Sequence, residues 1–390
     1  MKPFKLSVLA LSLILHHSCT HDSVQKEILH TDEIVHWKPS DGITKYLPSE
    51  MLAKFKPEAI EFTERFLINP NERGLTARRN EIHIAAGSSN ALTGAIASAG
   101  NGDVIVLDPG IHKQQGTVVI NKTVYIEGYG ATLEFSGVGF PQDLKIAPGI
   151  HIKPNGCIST IRGLKFTSSE DLPAVAILLD HTKDVNILSC TFENWVLTLN
   201  GLSSDYTILS RNTVKGNKAW QTIPGFPGVG IVFSDGSHNQ IVDNEVSDCA
   251  FGIFTGGSLG IDFNNHSTSC FLGQILCRVD APVLIGGQPV SAIASTSNWL
   301  VMFNKSDKNL RTGFMVIDGA SNNSLEHNTG GGNLIDIELA NVTNNFVGYF
   351  TPASHDNFVQ AYYNVTVKDC GFNNKVIGGS EVGSSVPCMN

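Results

Sequence analysis

Gly230-Ile231-Val232-Phe233, a polar turn, then Asn239-Gln240-Ile241; and next Gly252-Ile253-Phe254, a turn, then Gly260-Ile261. These passages share one plan: a short apolar β-type strand, an Asp/Ser/Asn/Gly turn, and a second short strand. The plan recurs outward in both directions. Upstream it gives Ala176 to Leu179 with Asp184 to Ile187, and Leu197 to Leu199 with Asp205 to Ile208. Downstream it gives Ala292 to Ala294 with Asn298 to Leu300, Gly313 to Val316 with Asn323 to Leu325, and Ile335 to Ile337 with Asn345 to Val347. The aligned anchors fall at 187, 208, 241, 261, 300, 325 and 347, and the short intervals cluster near 22 residues. A period of that length with short strands and no helix predicts an all-β solenoid, a parallel β-helix in which each coil buries its apolar face on its neighbours.

The start of the repeat fits. Leu92, Ala95, Ile96 and Ala99 recur at helical spacing, which predicts a short helix on entry to the repeat, while the N-terminal helical cap is expected within residues 20–80. The stretch Gly102-Asp103-Val104-Ile105-Val106-Leu107-Asp108-Pro109-Gly110 follows, and Thr160-Ile161-Arg162-Gly163-Leu164-Lys165-Phe166 supplies a later step, with Asn-x-Ile-x-x-Asn steps beyond. These residues resemble right-handed parallel β-helix proteins of the pectin-lyase-like superfamily, over roughly residues 81–380. The resemblance implies a single-stranded right-handed parallel β-helix. It implies a function only by class, since the superfamily holds polysaccharide lyases, hydrolases, esterases, epimerases, adhesins and non-catalytic proteins. The Asn-Thr-Asp, Asp-Asp and Gly-His-Gly motifs of the pectin hydrolases and the Tyr-Gly-Phe-Asp-Pro-His motif of the alginate epimerases are absent. No catalytic residue transfers by motif.

Residues 1–19 read as an export signal: Lys2 and Lys5, then an uncharged run from Leu6 to Leu15 too short to span a bilayer. The segment ends Ser18-Cys19, which makes Cys19 a lipidation candidate. The expected location is outside the cytoplasm: periplasmic, outer-membrane-anchored or extracellular. Residues 20–80 carry 19 charges in 61 residues, denser than the rest, and read as a charged tether with a helix near 49–67 that covers the end of the solenoid. Residues 381–390 read as a C-terminal tail. Cys270 with Cys277, and Cys370 with Cys388, are disulfide candidates for an exported chain, while Cys157, Cys190 and Cys249 read as buried fillers.

Charge is scarce, at 16% of 390 residues, and the net charge is −9. Nothing supplies the basic footprint that nucleic acid requires. Polysaccharide is the expected partner, with the membrane reached only through a lipid on Cys19. An acidic body would repel a uronic polymer unless Ca²⁺ bridged it to Asp or Glu, so calcium is the cofactor this balance suggests, with no metal ligands identified.

The two long intervals mark excursions, 212–229 and 265–290, which are expected to leave on one side and flank the coil between them. The catalytic candidates there are Asp235, Asp243, His238, Lys218 and Arg278. A hydrolase needs two carboxylates, whereas a lyase needs a base and a cation that neutralises the substrate carboxylate. Trp220, Asp262 and His266 are the substrate-binding candidates. Trp220 would either stack on a sugar or pin its own loop, and each acidic residue would otherwise be a solvated turn. The recurring Asn residues are read as ties that satisfy backbone groups at tight inner turns. The expectation is a polysaccharide lyase or hydrolase-like protein, or else a non-catalytic surface glycan-binding or adhesion module.

Overall fold

The computed structural model describes residues 37–382 and 386, apart from 39, 41, 69–79, 140–146, 223–227, 278, 286–287, 295, 318 and 341–352, and for 279–294 it describes the backbone only. The signal segment with Cys19, as well as Arg278 and Cys388, lies outside the described residues.

Among the described residues, 27 strands join one continuous system of parallel pairs, and two more form an antiparallel hairpin, Val279–Ile285 with Gln288–Ala294. The fold is a right-handed parallel β-helix. Each coil has three strands, within the two or three that the coil length allows. In one coil these are Gln240–Val242, Glu245–Ser247 and Phe251–Thr255, and their counterparts stack into walls A, B and C.

The interior is a set of in-register columns. Wall A contributes Ile105, Ile126, Ile161, Ile187, Leu209, Ile241, Asp262, Val301 and Leu325. Wall B contributes Phe166, Phe192, Val214 and Val246, with Phe166 and Phe192 stacked at 4.7 Å. Each fully buried aliphatic or aromatic side chain contributes about 1.5–3 kcal/mol relative to exposure.

The bend from wall A to wall B is made by one residue in the left-handed region: Ser189, Arg211, Asp243, Asn264, Phe303 and His327, with φ between 50° and 59°. Asn and Asp tolerate this conformation, whereas Arg and Phe strain there by about 1–2 kcal/mol. The next position carries an inward Asn in most coils, and these form a ladder. Asn212 N donates to Asn244 Oδ1 (2.9 Å), Asn244 N to Asn265 Oδ1 (2.8 Å), Asn265 N to Asn304 Oδ1 (2.6 Å) and Asn304 N to Asn328 Oδ1 (3.0 Å). The Asn run therefore satisfies buried backbone groups.

The N-terminal elements depart from expectation. The helix α1 (Ser49–Leu52) and the helix α2 (Pro57–Ile68) lie across the outer face of wall A, not over an end. Met51, Phe55 and Ile60 pack with Val242, Ile261, Phe263, Leu300 and Met302, and Phe66 packs with Leu188 and Ile208. Outward apolar residues on wall A need a cover, and this strap supplies it. The end cap is the helix α3 (Ala91–Ser98), whose Leu92, Ala95 and Ile96 seal the core at Ile105 and Val118.

The cysteines also depart. Cys270 is free, and it and Cys277 belong to different clusters, the first in the interior column and the second on the outer face of wall C. The expectation of a bond between them assumed an excursion there, but Leu272–Leu276 is an ordinary wall C strand. Cys370 is disulfide-bonded. Cys190 and Cys249 are buried, while Cys157 is half-buried.

Candidate functional site

The three-walled coil redistributes the residues singled out in the sequence. The first excursion leaves between walls B and C, after Thr213–Gly216, and the second leaves between walls C and A, after Leu272–Leu276. They stand at opposite edges of wall C, so the expected cleft between neighbouring loops is not formed. Trp220 sits in a short 3-10 turn, Lys218–Gln221, and its Nε1 donates to Asp248 O at 3.0 Å, which pins its own loop to the body. Lys218 pairs with Asp248 at 3.0 Å.

Asp235 accepts from Gly236 N (2.7 Å) and Ser203 Oγ (3.3 Å) at the bend from wall C to wall A, where it holds a turn. His238 lies under the strap, stacked on Tyr206 (4.7 Å) with Phe55 edge-on (5.5 Å), and burial lowers its pKa. Neither meets Asp243. Asp262 is fully buried in the wall A column between Ile241 and Val301 and faces no substrate. Only Oδ1 finds a partner, Asn265 Nδ2 at 2.6 Å, while Oδ2 has none, and burial pushes the carboxyl up to about 7.

Asp243 and His266 do come together. They line a recess of about 250 Å³ over three successive coils, with Asn244, Glu245, Asn264, Asn265, Phe303 and Lys305. The left-handed bend aims Asp243, Asn264 and Phe303 outward, and the strand after it aims Glu245, His266 and Lys305 outward on successive rungs. In-register rungs stand about 4.8 Å apart.

Asp243 is the hub of the bend. Its Oδ2 takes Arg211 Nε at 3.0 Å and its Oδ1 takes Asn264 Nδ2 at 2.8 Å. Arg211 Nη2 also reaches Leu67 O, the last turn of α2, at 2.6 Å. Burial raises the Asp243 carboxyl despite the Arg211 charge beside it. On wall B, His266 Nε2 meets Asp307 Oδ1 at 2.8 Å and Lys305 Nζ meets Asp307 Oδ2 at 3.1 Å. Burial works to raise Asp307, but hydrogen bonds from His266 and Lys305 outweigh it and hold the carboxyl below the usual range. An ionised carboxylate only accepts, so His266 Nε2 carries a proton, and in the neutral ring the lone pair lies on Nδ1.

Sequence reasoning missed Lys305, Asp307 and Phe303. The signal was present: the residue after each ladder Asn faces outward on wall B, as in Asn244-Glu245, Asn265-His266 and Asn304-Lys305. Among the described residues, no three His, Cys, Asp or Glu side chains gather into a metal-binding group.

Residues 148–271 match the family model described as "Right handed beta helix region". The match falls within the right-handed parallel β-helix described above. No curated protein matches the sequence. Among solved structures, the mannuronan C-5 epimerase AlgE6 A-module of Azotobacter vinelandii is similar at 13% identity and a TM-score of 0.48, over 75% of this chain and 90% of that one. The pectate lyase Pel9A is similar at 13% identity and a TM-score of 0.44, over 80% of each chain. An alginate lyase from Paenibacillus sp. str. FPU-7 is similar at 13% identity and 0.39, over 77% of this chain and 99% of that one. Likeness at this level concerns the fold alone.

Proposed function

We propose that this chain is an exported protein that acts on a carboxylate-bearing polysaccharide along wall B. The single observation behind this reading is the His266–Asp307–Lys305 group, at 2.8 Å and 3.1 Å, beside the open recess. A chain laid along the rungs would meet Glu245, His266 and Lys305 in succession. Lys305 would neutralise the substrate's carboxylate, and His266 Nδ1 would accept the proton next to it, with Asp307 fixing the ring and stabilising its charged form. Asp243, Asn264 and Phe303 would form the recess wall.

A second reading has its own support. Asp243 and Asp307 are both engaged by neighbours, which suits a groove that holds a glycan without breaking it. Incubation with a polysaccharide panel, with and without Ca²⁺, separates the readings. Rising ultraviolet absorbance from unsaturated uronate means elimination, whereas new reducing ends without it mean hydrolysis. Retention on a glycan with neither signal means a binding module, and the absence of all three contradicts both readings.

A further inference from the structure

A second amide ladder runs inside the bend between walls B and C. Asn309 N donates to Asn333 Oδ1 at 2.8 Å, and Cys270 N donates to Asn309 Oδ1 at 3.0 Å. At the next two positions the ladder loses its amides: the residues are Cys270 and, one coil earlier, Cys249. Both follow a residue in the left-handed region, Asp248 (φ 61°) and Ser269 (φ 56°). The flanking strands keep step, with Ser247 opposite Thr268 and Phe251 opposite Leu272. Phe271 N donates to Cys249 O at 3.1 Å, so the two cysteines occupy one rung position. Both are free thiols and completely buried, and each Sγ donates to the carbonyl two residues before it, Cys249 to Ser247 O at 3.3 Å and Cys270 to Thr268 O at 3.4 Å. Neighbouring rungs are about 4.8 Å apart, inside the ~4.4–6.8 Å range of Cα separations that a disulfide spans.

We propose that Cys249 and Cys270 are a disulfide site that ties adjacent coils where the amide ladder stops. The bond takes over, covalently, the coil-to-coil tie that Asn309 and Asn333 make by hydrogen bonds. The two thiols give up two protons and two electrons to a dithiol–disulfide oxidant. One S–S bond forms in the chain, and the oxidant's S–S bond becomes two thiols. Exchange requires a thiolate, and the Cys270 thiol beside it together with burial in the closed coil keeps the Cys249 thiol protonated. The reaction therefore belongs to the folding chain, before the coil closes over the pair, and the finished bond is shielded from reductant. Cys277, on the outer face of wall C, takes no part.

The test is peptide mapping of the full chain, passed through a denaturant-induced opening with oxidised glutathione until Cys370 is recovered in its disulfide. Free thiols are then blocked under denaturing conditions without reductant. The expected product is a cross-linked pair of peptides holding Cys249 and Cys270, two hydrogen masses lighter than their sum, with Cys277 alkylated. Unfolding under reductant is expected to lower the thermal midpoint by several degrees. The Cys249→Ser/Cys270→Ser variant is expected to keep only the part of that reductant sensitivity that the Cys370 disulfide supplies, and Cys277→Ser to keep all of it. Alkylated Cys249 and Cys270 beside an intact Cys370 disulfide, or Cys270 joined to Cys277, overturns the proposal.

Discussion

His266 Nε2 and Asp307 Oδ1 stand 2.8 Å apart on adjacent rungs of wall B, although 41 residues separate them in sequence. The pairing fixes which imidazole nitrogen carries the proton. His266→Ala is expected to lower turnover on a responsive polysaccharide by about 10²–10⁴-fold, the usual contribution of a general acid–base group. Asp307→Asn is expected to act in the same direction and less severely, because the ring stays but its tautomer is no longer fixed. Steady-state rates with unchanged circular dichroism check both.

Asp262 predicts an unusual pH dependence. Burial raises its folded pKa from the ordinary 3.8 to about 7, so between those values the native state holds a proton that the unfolded state has lost. Stability is then greatest below the unfolded value and declines as pH climbs from about 4 towards 7, by a few kcal/mol in all. Asp262→Asn is expected to flatten that decline and raise the thermal midpoint at pH 7. Thermal unfolding across this range reads the outcome, and a flat wild-type profile contradicts a buried, protonated carboxyl.

The residues just discussed show where the sequence was legible. The coil period and the inner Asn ties are written in short-range pattern: apolar anchors and turn residues recur with the coil, and they yield the fold. The third strand of each coil is not written that way, because two bends and three strands compress into one irregular interval. Aligning on Ile261 and Leu300, when the inward column holds Asp262 and Val301, shifted part of the register by one residue. In a strand that moves a side chain to the opposite face, which puts Asp262 inside the coil and not toward substrate. The excursion edges shifted with it: His266 belongs to a wall, and the strap's choice of wall A over the end cap depends on outward apolar residues whose direction only the register settles.

The ladder itself can be weighed. Asn328 Oδ1 accepts from Asn304 N at 3.0 Å, and its Nδ2 donates to Val301 O at 2.8 Å. Asn328→Ala leaves a buried N–H and a buried carbonyl without partners, each worth about 1–3 kcal/mol. A loss of on the order of 2–5 kcal/mol in denaturant unfolding is expected.

The strap is expected to be pH-sensitive through His238. Burial between Tyr206 and Phe55 lowers its pKa below the ordinary 6.5, so the neutral ring is the docked form. Its contribution is complete above 6.5 and is lost as pH falls through the lower folded value. Limited proteolysis at Lys54 and Lys56 is expected to speed up on acidification, while His238→Phe, which cannot charge, is expected to remove the effect.

The most direct test of the three-walled site is a side-by-side assay of His266→Ala and Asp235→Ala on the same polysaccharide panel. The geometry puts His266 at the recess and Asp235 in a structural turn on another edge of the coil. Loss of product release in His266→Ala with near-normal rates in Asp235→Ala is the predicted result. Full activity in His266→Ala, with loss in Asp235→Ala, would contradict it.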